Sequence, residues 1–92
     1  MDADVDLAAL PEEFHDLLPL LRTWAIPDDV DREAQVEAAS TAELRNLIRA
    51  LEPRFDAISA YLDGHDHLEE AAYLDALAEA AVEARFELED RG

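Results

Sequence analysis

The chain has 92 residues, no cysteine and a formal net charge of −17, from 24 acidic residues against seven arginines and no lysine. The missing cysteine excludes disulfides and zinc–cysteine sites, and the charge argues against direct binding of nucleic acid or anionic lipid, whose phosphates require lysine and arginine. The apolar runs are too short to span a membrane and the acidic N-terminus does not resemble an export signal, so we expect a cytoplasmic protein.

A single acidic helical domain over residues 1–92 is expected, because a chain of this length can bury only one core. Residues 1–9 carry three aspartates among small residues, and we expect them to be frayed. No segment alternates apolar and polar residues as a half-buried strand would. The predicted fold class is therefore all-α, a small four-helix bundle in which one helix is minor.

The first predicted helix has Pro11 in its first turn, where the missing N–H costs nothing. Pro19 lies in its middle, so we expect either a kink or a short first helix followed by a second turn. His15 lies on the polar side, where a histidine is usually solvated. Ile26-Pro27 ends the helix. Its apolar residues recur at steps of three and four and define one face: Leu10, Phe14, Leu17, Leu21 and Trp24.

The second predicted helix, roughly Asp29 to Ala39, is weak because its apolar residues form no wide stripe. We expect a short, mostly exposed element that lies across the others. Asp28 or Asp29 caps it, and the acids of its first turn favour the positive helix N-terminus. That local role alone explains the cluster. Alternatively, this cluster could act together with the acids of the last helix and imitate a phosphate backbone. The candidate binding residues of the cluster are Asp28, Asp29 and Asp31.

The central predicted helix runs from Thr41 to Asp63. Its apolar stripe keeps its phase through Pro53, which predicts one bent helix rather than two helices separated by a loop. Ser40 and Glu43 form a capping box at its start, and Gly64 is expected to end it in a left-handed conformation. The stripe consists of Leu44, Leu47, Ile48, Leu51, Phe55, Ile58 and Leu62.

The last predicted helix runs from about His67 to Glu89, after a capping signal formed by Asp66 and Glu69. Only two or three residues separate it from the central helix, so the two are expected to form a long antiparallel hairpin. Arg85 lies at the margin of its apolar face and is expected to pair with a carboxylate of the same chain. That face comprises Tyr73, Leu74, Leu77, Ala80, Ala81, Ala84 and Leu88.

An acidic ridge on the last helix is the strongest candidate for a binding surface. It consists of Glu79, Glu83 and Glu87, four residues apart along one line, and like charges at this spacing repel each other. The candidate residues beside the ridge are Asp75, Val82 and Phe86. Phe86 would anchor a basic protein partner and the acids would steer it. The alternatives are that the N-terminal helix buries Phe86, or that the surface is only solvated.

Neither an enzyme nor a cofactor-binding protein is predicted. The chain has two glycines and hence no glycine-rich phosphate loop. Ser40 and Thr41 serve as capping residues, and Ser59 has no histidine near it in register. His65 and His67 stand on either side of Asp66 and could bind a divalent metal weakly. A polar turn explains the same residues, so no metal site is assigned and metal binding is kept as an alternative.

The sequence therefore predicts a non-enzymatic module that binds or neutralises a basic protein partner, of the antitoxin, immunity or inhibitor type. Size and charge are shared with small helical immunity proteins, but no motif aligns residue by residue and no family is assigned. The alternative is a self-assembling or housekeeping helical domain whose charge serves solubility or a high-salt cytoplasm. A homodimer that buries Leu20, Trp24 and Ile26 is a further possibility.

Overall fold

The computed structural model describes residues 9–65 and 67–92, and its regular elements are all helical. A 3-10 helix at Glu12–Leu17 precedes the first α-helix, and a 3-10 turn at Glu52–Arg54 joins the third α-helix to the fourth. The α-helices are α1 (Leu18–Trp24), α2 (Asp29–Ala38), α3 (Thr41–Leu51), α4 (Phe55–His65) and α5 (Glu69–Arg91). The fold is the all-α small bundle predicted from the sequence. α3, the 3-10 turn and α4 follow one another without a loop, and we call this continuous helical segment the central rod.

The N-terminal segment takes the second of the two forms expected for it. Pro19 stands in the first turn of α1, and the residues before it form the 3-10 helix. His15 is half-buried, with Nε2 2.8 Å from the Leu10 carbonyl oxygen. All five residues of the predicted apolar face are buried. Trp24 is only 4 % exposed, so it cannot contribute to the homodimer surface suggested with Leu20 and Ile26.

The central rod confirms the predicted continuity through Pro53 and the predicted capping box. The Ser40 hydroxyl accepts from the Glu43 N–H at 3.1 Å, and the Glu43 carboxylate accepts from the Ser40 N–H at 2.9 Å. Proline has no N–H to give to an α-helical carbonyl, and the local response is the 3-10 turn around Pro53. Leu44, Leu47, Leu51 and Ile58 are buried, while the other stripe residues are half-buried.

The expectation for Gly64 is wrong. Gly64 lies inside α4, and among the described residues the glycine with a positive φ is Gly92, at 91°. The last turn of α4 is held by His65, whose Nδ1 lies 2.8 Å from the Tyr61 carbonyl oxygen. The two rings also stack, with centroids 4.3 Å apart. These contacts carry the helix past the glycine, so no left-handed cap forms there.

The last helix, α5, contacts each of the other four and is the centre of the bundle. It begins at Glu69 rather than His67, and its N-cap, Leu68, makes no side-chain cap; the capping signal at Asp66 lies outside the described residues. Arg91 bonds Thr41 and Arg85 pairs with Glu52, so α5 runs back along α3. Its predicted face is buried except for Tyr73 and Leu88, which are half-buried.

Candidate functional site

The face formed by α2 and the C-terminal half of α5 contains most of the predicted binding residues. The two helices run in the same direction: Arg32 of α2 bonds Glu83, and the Glu37 carbonyl farther along α2 accepts from Arg91. This parallel packing brings the acids at the start of α2 next to the acidic ridge. Residues about 50 positions apart in the sequence thus share one surface.

Arg32 joins the two acidic clusters, and the sequence analysis did not identify it. The residue is only 5 % exposed. Its Nε donates to Glu83 Oε2 at 2.8 Å, its Nη2 to Asp29 Oδ1 at 2.6 Å, and its Nη1 to the Ile26 carbonyl at 2.9 Å. The available signal was spacing: Arg32 is one turn before the buried Val36, so both lie on the inner side of α2.

The contacts of Arg32 favour its charged form. Burial lowers the pKa of Arg32, but its hydrogen bonds to Glu83 and Asp29 raise it, and the net shift is upward from the ordinary value of arginine. Since the guanidinium is already charged at neutral pH, Arg32 is a permanent cation between the two carboxylates. It positions them as fixed anionic groups at the base of the surface.

The acidic ridge is not a row of three free charges. Glu83 is bound by Arg32 through Oε2, and its Oε1 is buried without a hydrogen-bond partner among the described residues. Glu87 accepts from Arg91 Nε at 2.9 Å. Glu79 is exposed and forms no ion pair within the described part of the chain. Two of the three ridge acids are therefore held in place by arginines of the same chain.

Phe86 and Val82 are exposed beside the ridge. Phe86 is 66 % exposed and Val82 is 40 % exposed. The structure therefore differs from the alternative in which the N-terminal helix buries Phe86. Single exposed apolar residues are common on proteins, but these two are one turn apart on the same side of α5. Together they form a small apolar patch, which the cation of Arg85 and the carboxylate of Glu89 flank on one side.

A groove of about 490 Å³ opens next to Phe86, between α2 and α5. We call it the Phe86 groove. Apart from Phe86 and the buried Val36, every residue that lines it is acidic: Glu33, Glu37, Glu83, Glu87 and Asp90. The side chains of Glu33, Glu37 and Asp90 form no ion pair within residues 9–65 and 67–92. Glu37 and Asp90 were missed because only the packing of α2 on α5 brings them to this site.

A second groove, of about 550 Å³, lies farther back along the same two helices. Arg32 lines it, and the predicted residues Asp75 and Glu79 join it there from α5. Its other acidic lining residues are Asp29, Glu33 and Glu83. Glu33 and Glu83 belong to both grooves, so the acidic surface is continuous along the α2–α5 face.

The remaining predicted acids serve the start of α2. Asp28 is the N-cap, and its Oδ1 accepts from the N–H groups of Val30 and Asp31 at 2.9 and 3.0 Å. Asp31 is exposed in the first turn, where a negative charge favours the helix dipole. Asp28 therefore has the local role considered in the sequence analysis.

The two histidines that suggested a metal site do not form one with their described neighbours. Residues 9–65 and 67–92 contain no group of three histidine, aspartate or glutamate side chains placed to hold an ion. His65 is engaged with Tyr61, and Asp66 lies outside the described residues. No helix within the same ranges is long and apolar enough to cross a lipid bilayer.

Comparison with protein-family models, with curated proteins and with solved structures gave no match. The chemistry of the α2–α5 face is thus the basis for inferring a function.

Proposed function

We propose that this protein is a non-enzymatic, cytoplasmic interaction module that binds a basic protein partner through its α2–α5 face. The observation that supports this most strongly is the exposed ring of Phe86 at the edge of a groove lined by five carboxylates. Burying a phenylalanine side chain contributes about 1.5–3 kcal/mol. The carboxylates around it favour a partner whose surface carries arginine or lysine.

The acids and the aromatic ring have different tasks in this proposal. The net charge of −17 steers a cationic partner toward the protein and raises the association rate, an effect that salt screens. Phe86 provides the apolar contact that slows dissociation. Arg32 and Arg91 fix Glu83 and Glu87 before binding, so less side-chain freedom is lost on association.

Occupying a basic surface blocks the ligand that this surface would otherwise bind. An antitoxin, an immunity protein or an inhibitor would act in this way.

The test is capture from a lysate of the native host at moderate and at high salt, with an N-terminal tag because Arg91 near the C-terminus makes structural contacts. We expect one basic protein in stoichiometric amount at moderate salt and its release at high salt.

Two double variants with the same net charge distinguish binding at a specific surface from a general attraction to negative charge. Glu33→Arg with Asp90→Arg reverses two free acids of the Phe86 groove, and we expect capture to be lost. Asp56→Arg with Asp63→Arg reverses two exposed acids of α4 and gives the same net charge, and we expect capture to persist. Glu83 is left intact because reversing it would place two cations together beside Arg32.

Two outcomes would contradict the proposal. Equal loss of capture in both double variants would show a general attraction to negative charge rather than a binding face. The absence of a specific basic partner at either salt, with a defined homo-oligomer in light scattering, would favour the self-assembling alternative.

A further inference from the structure

The Phe86 groove has the form of a site for a helix. Two parallel helices form its walls, with Glu33 and Glu37 on α2 and Asp90 on α5. Its apolar lining consists of Val36, which is buried, and Phe86, which is exposed. An apolar contact flanked by carboxylates on both walls is the arrangement that a basic amphipathic helix complements.

The spacing of the groove residues matches a helical partner. Phe86 and Asp90 are four residues apart on α5, about 6 Å along the axis. Glu33 and Glu37 have the same spacing on α2. A partner helix presents one face at intervals of three and four residues. Extended peptides usually bind by adding to a sheet edge, and the described residues form no strand.

The charges of the groove indicate what the partner segment carries. Arg32 and Arg91 already bond Glu83 and Glu87. The carboxylates left for a partner are those of Glu33, Glu37 and Asp90, on the two rims. A complementary segment therefore has cationic side chains on both sides of one apolar residue.

We propose that the Phe86 groove binds a basic amphipathic helix of the partner protein. One aliphatic or aromatic side chain of that helix packs against Phe86 and Val36. Arginines or lysines about one turn to either side of it meet the carboxylates of Glu33, Glu37 and Asp90. This inference rests on the proposed function and adds the chemical nature of the recognised segment.

The test uses the purified full chain and two labelled synthetic peptides. Both peptides have about 16 residues, long enough for helix to form on binding, and the same arginine, leucine and alanine composition. In one, the leucines follow each other at steps of three and four; in the other, their order is scrambled so that no apolar face forms. Binding is followed by fluorescence anisotropy, and helix formation by circular dichroism.

We expect the patterned peptide to gain helix on binding and to bind about tenfold more tightly than the scrambled one. Phe86→Ala should remove about the same factor, because it deletes the apolar contact. The side chain is exposed, so the fold of this variant should be unaffected. Val30→Ala, which trims an exposed apolar residue outside the groove lining, should leave the affinity unchanged.

Equal affinity for the two peptides, or equal affinity of the wild type and Phe86→Ala, would overturn the helix-binding inference. The titration needs no native partner, so its result is independent of the lysate capture. Capture of a basic protein that is lost with Glu33→Arg and Asp90→Arg but unchanged by Phe86→Ala would support the proposed function and overturn the groove inference. Patterned binding that depends on Phe86, with no basic partner captured, supports the groove and counts against the proposed function.

Discussion

Arg32 connects two helices whose sequences suggest no relation to each other. Its guanidinium reaches Glu83 on α5, Asp29 in its own helix and the Ile26 carbonyl in the preceding loop. Removing a cation and its carboxylate partner from water is costly, and the attraction between them offsets that cost only while both are present. The contribution of the pair is therefore best measured by removing one partner and then both.

Arg32→Met should lower the free energy of unfolding by about 2–4 kcal/mol, because it leaves the Glu83 carboxylate without its cation. The effect stays below that of a fully buried pair because the Glu83 side chain is 24 % exposed. Adding Glu83→Leu should restore most of the loss, since it also removes the unpartnered Oε1. Urea unfolding of the three proteins measures this. If the free energy of unfolding of Arg32→Met lies within about 0.5 kcal/mol of the wild-type value, solvent already screens the ion pair.

Tyr61 predicts a change of stability with pH. Burial, together with the negative charge of Glu70, raises the pKa of the Tyr61 hydroxyl above 10. The folded protein therefore retains this proton after the unfolded chain has lost it. The resulting stabilisation is complete below about pH 10 and declines as the pH rises through the folded-state value.

In Tyr61→Phe the free energy of unfolding should fall less steeply above about pH 10 than in the wild type. The substitution keeps the ring that packs edge-on against Phe14 and stacks on His65, so the two proteins should differ little near neutral pH. Urea unfolding across the alkaline range gives both curves. Identical slopes would mean that Tyr61 titrates alike in the folded and unfolded states.

At the scale of single elements, Pro53 and Gly64 show when a residue that disfavours helix ends one. Pro53 lies between two buried residues of the apolar stripe, Leu51 and Ile58, and the backbone accommodates it with one 3-10 turn. Gly64 also lies within a helix, and a Cβ built on it would meet nothing within 4 Å. α4 ends one residue later, at His65, whose Nδ1 lies 2.8 Å from the Tyr61 carbonyl oxygen.

Gly64→Ala should therefore raise the free energy of unfolding by about 0.5–1 kcal/mol, because alanine loses less backbone freedom on entering a helix. If Gly64 had a left-handed conformation, Gly64→Ala would instead lower the free energy of unfolding. Ala60→Gly, at an exposed site one turn earlier in α4, is the mirror-image control and should cost a similar amount. Chemical denaturation of both variants decides between the two conformations.

The elements were predictable where a local pattern specifies them. Periodicity alone identified the buried faces of the N-terminal helical segment, α3 and α5, and the capping box located the start of α3 at Thr41. The binding face was predictable only in part. Phe86 and Val82 stood out as apolar residues off the buried stripe of one helix. The pairing of Arg32 with Glu83, and of Arg91 with the end of α2, depends on how helices distant in sequence pack, and no local pattern contains that information.

At the scale of the whole molecule, four of the seven arginines of this highly acidic protein connect elements that are distant in sequence, and Arg32 is the buried one among them. Arg54 ties the N-terminal 3-10 helix to the central rod through the Glu13 carbonyl and the Asp16 carboxylate. Arg85 links α5 to the central rod, and Arg91 links it to α2 through the Glu37 carbonyl and to α3 through Thr41. The molecule measures 37 × 30 × 20 Å, so charges repel across much of it when salt is low.

Added sodium chloride should raise the melting temperature. Screening weakens repulsion among many unpaired carboxylates and weakens only a few ion pairs, most of them exposed and individually small contributors. The largest change is expected below about 0.1 M, where the screening length exceeds about 10 Å. Asp56→Asn with Asp63→Asn should show a smaller salt dependence because less charge is screened. A melting temperature that falls with salt would mean that the ion pairs dominate.

The burial of Trp24 gives the molecule an internal optical reporter. It is the sole tryptophan in the chain, and it is packed in the core and lines neither acidic groove. Its emission should lie at short wavelength in the native protein and shift to the red when the core opens to water. Ligands that occupy the α2–α5 face should leave this emission nearly unchanged. One unlabelled sample can therefore distinguish a ligand that docks on the surface from one that opens the fold.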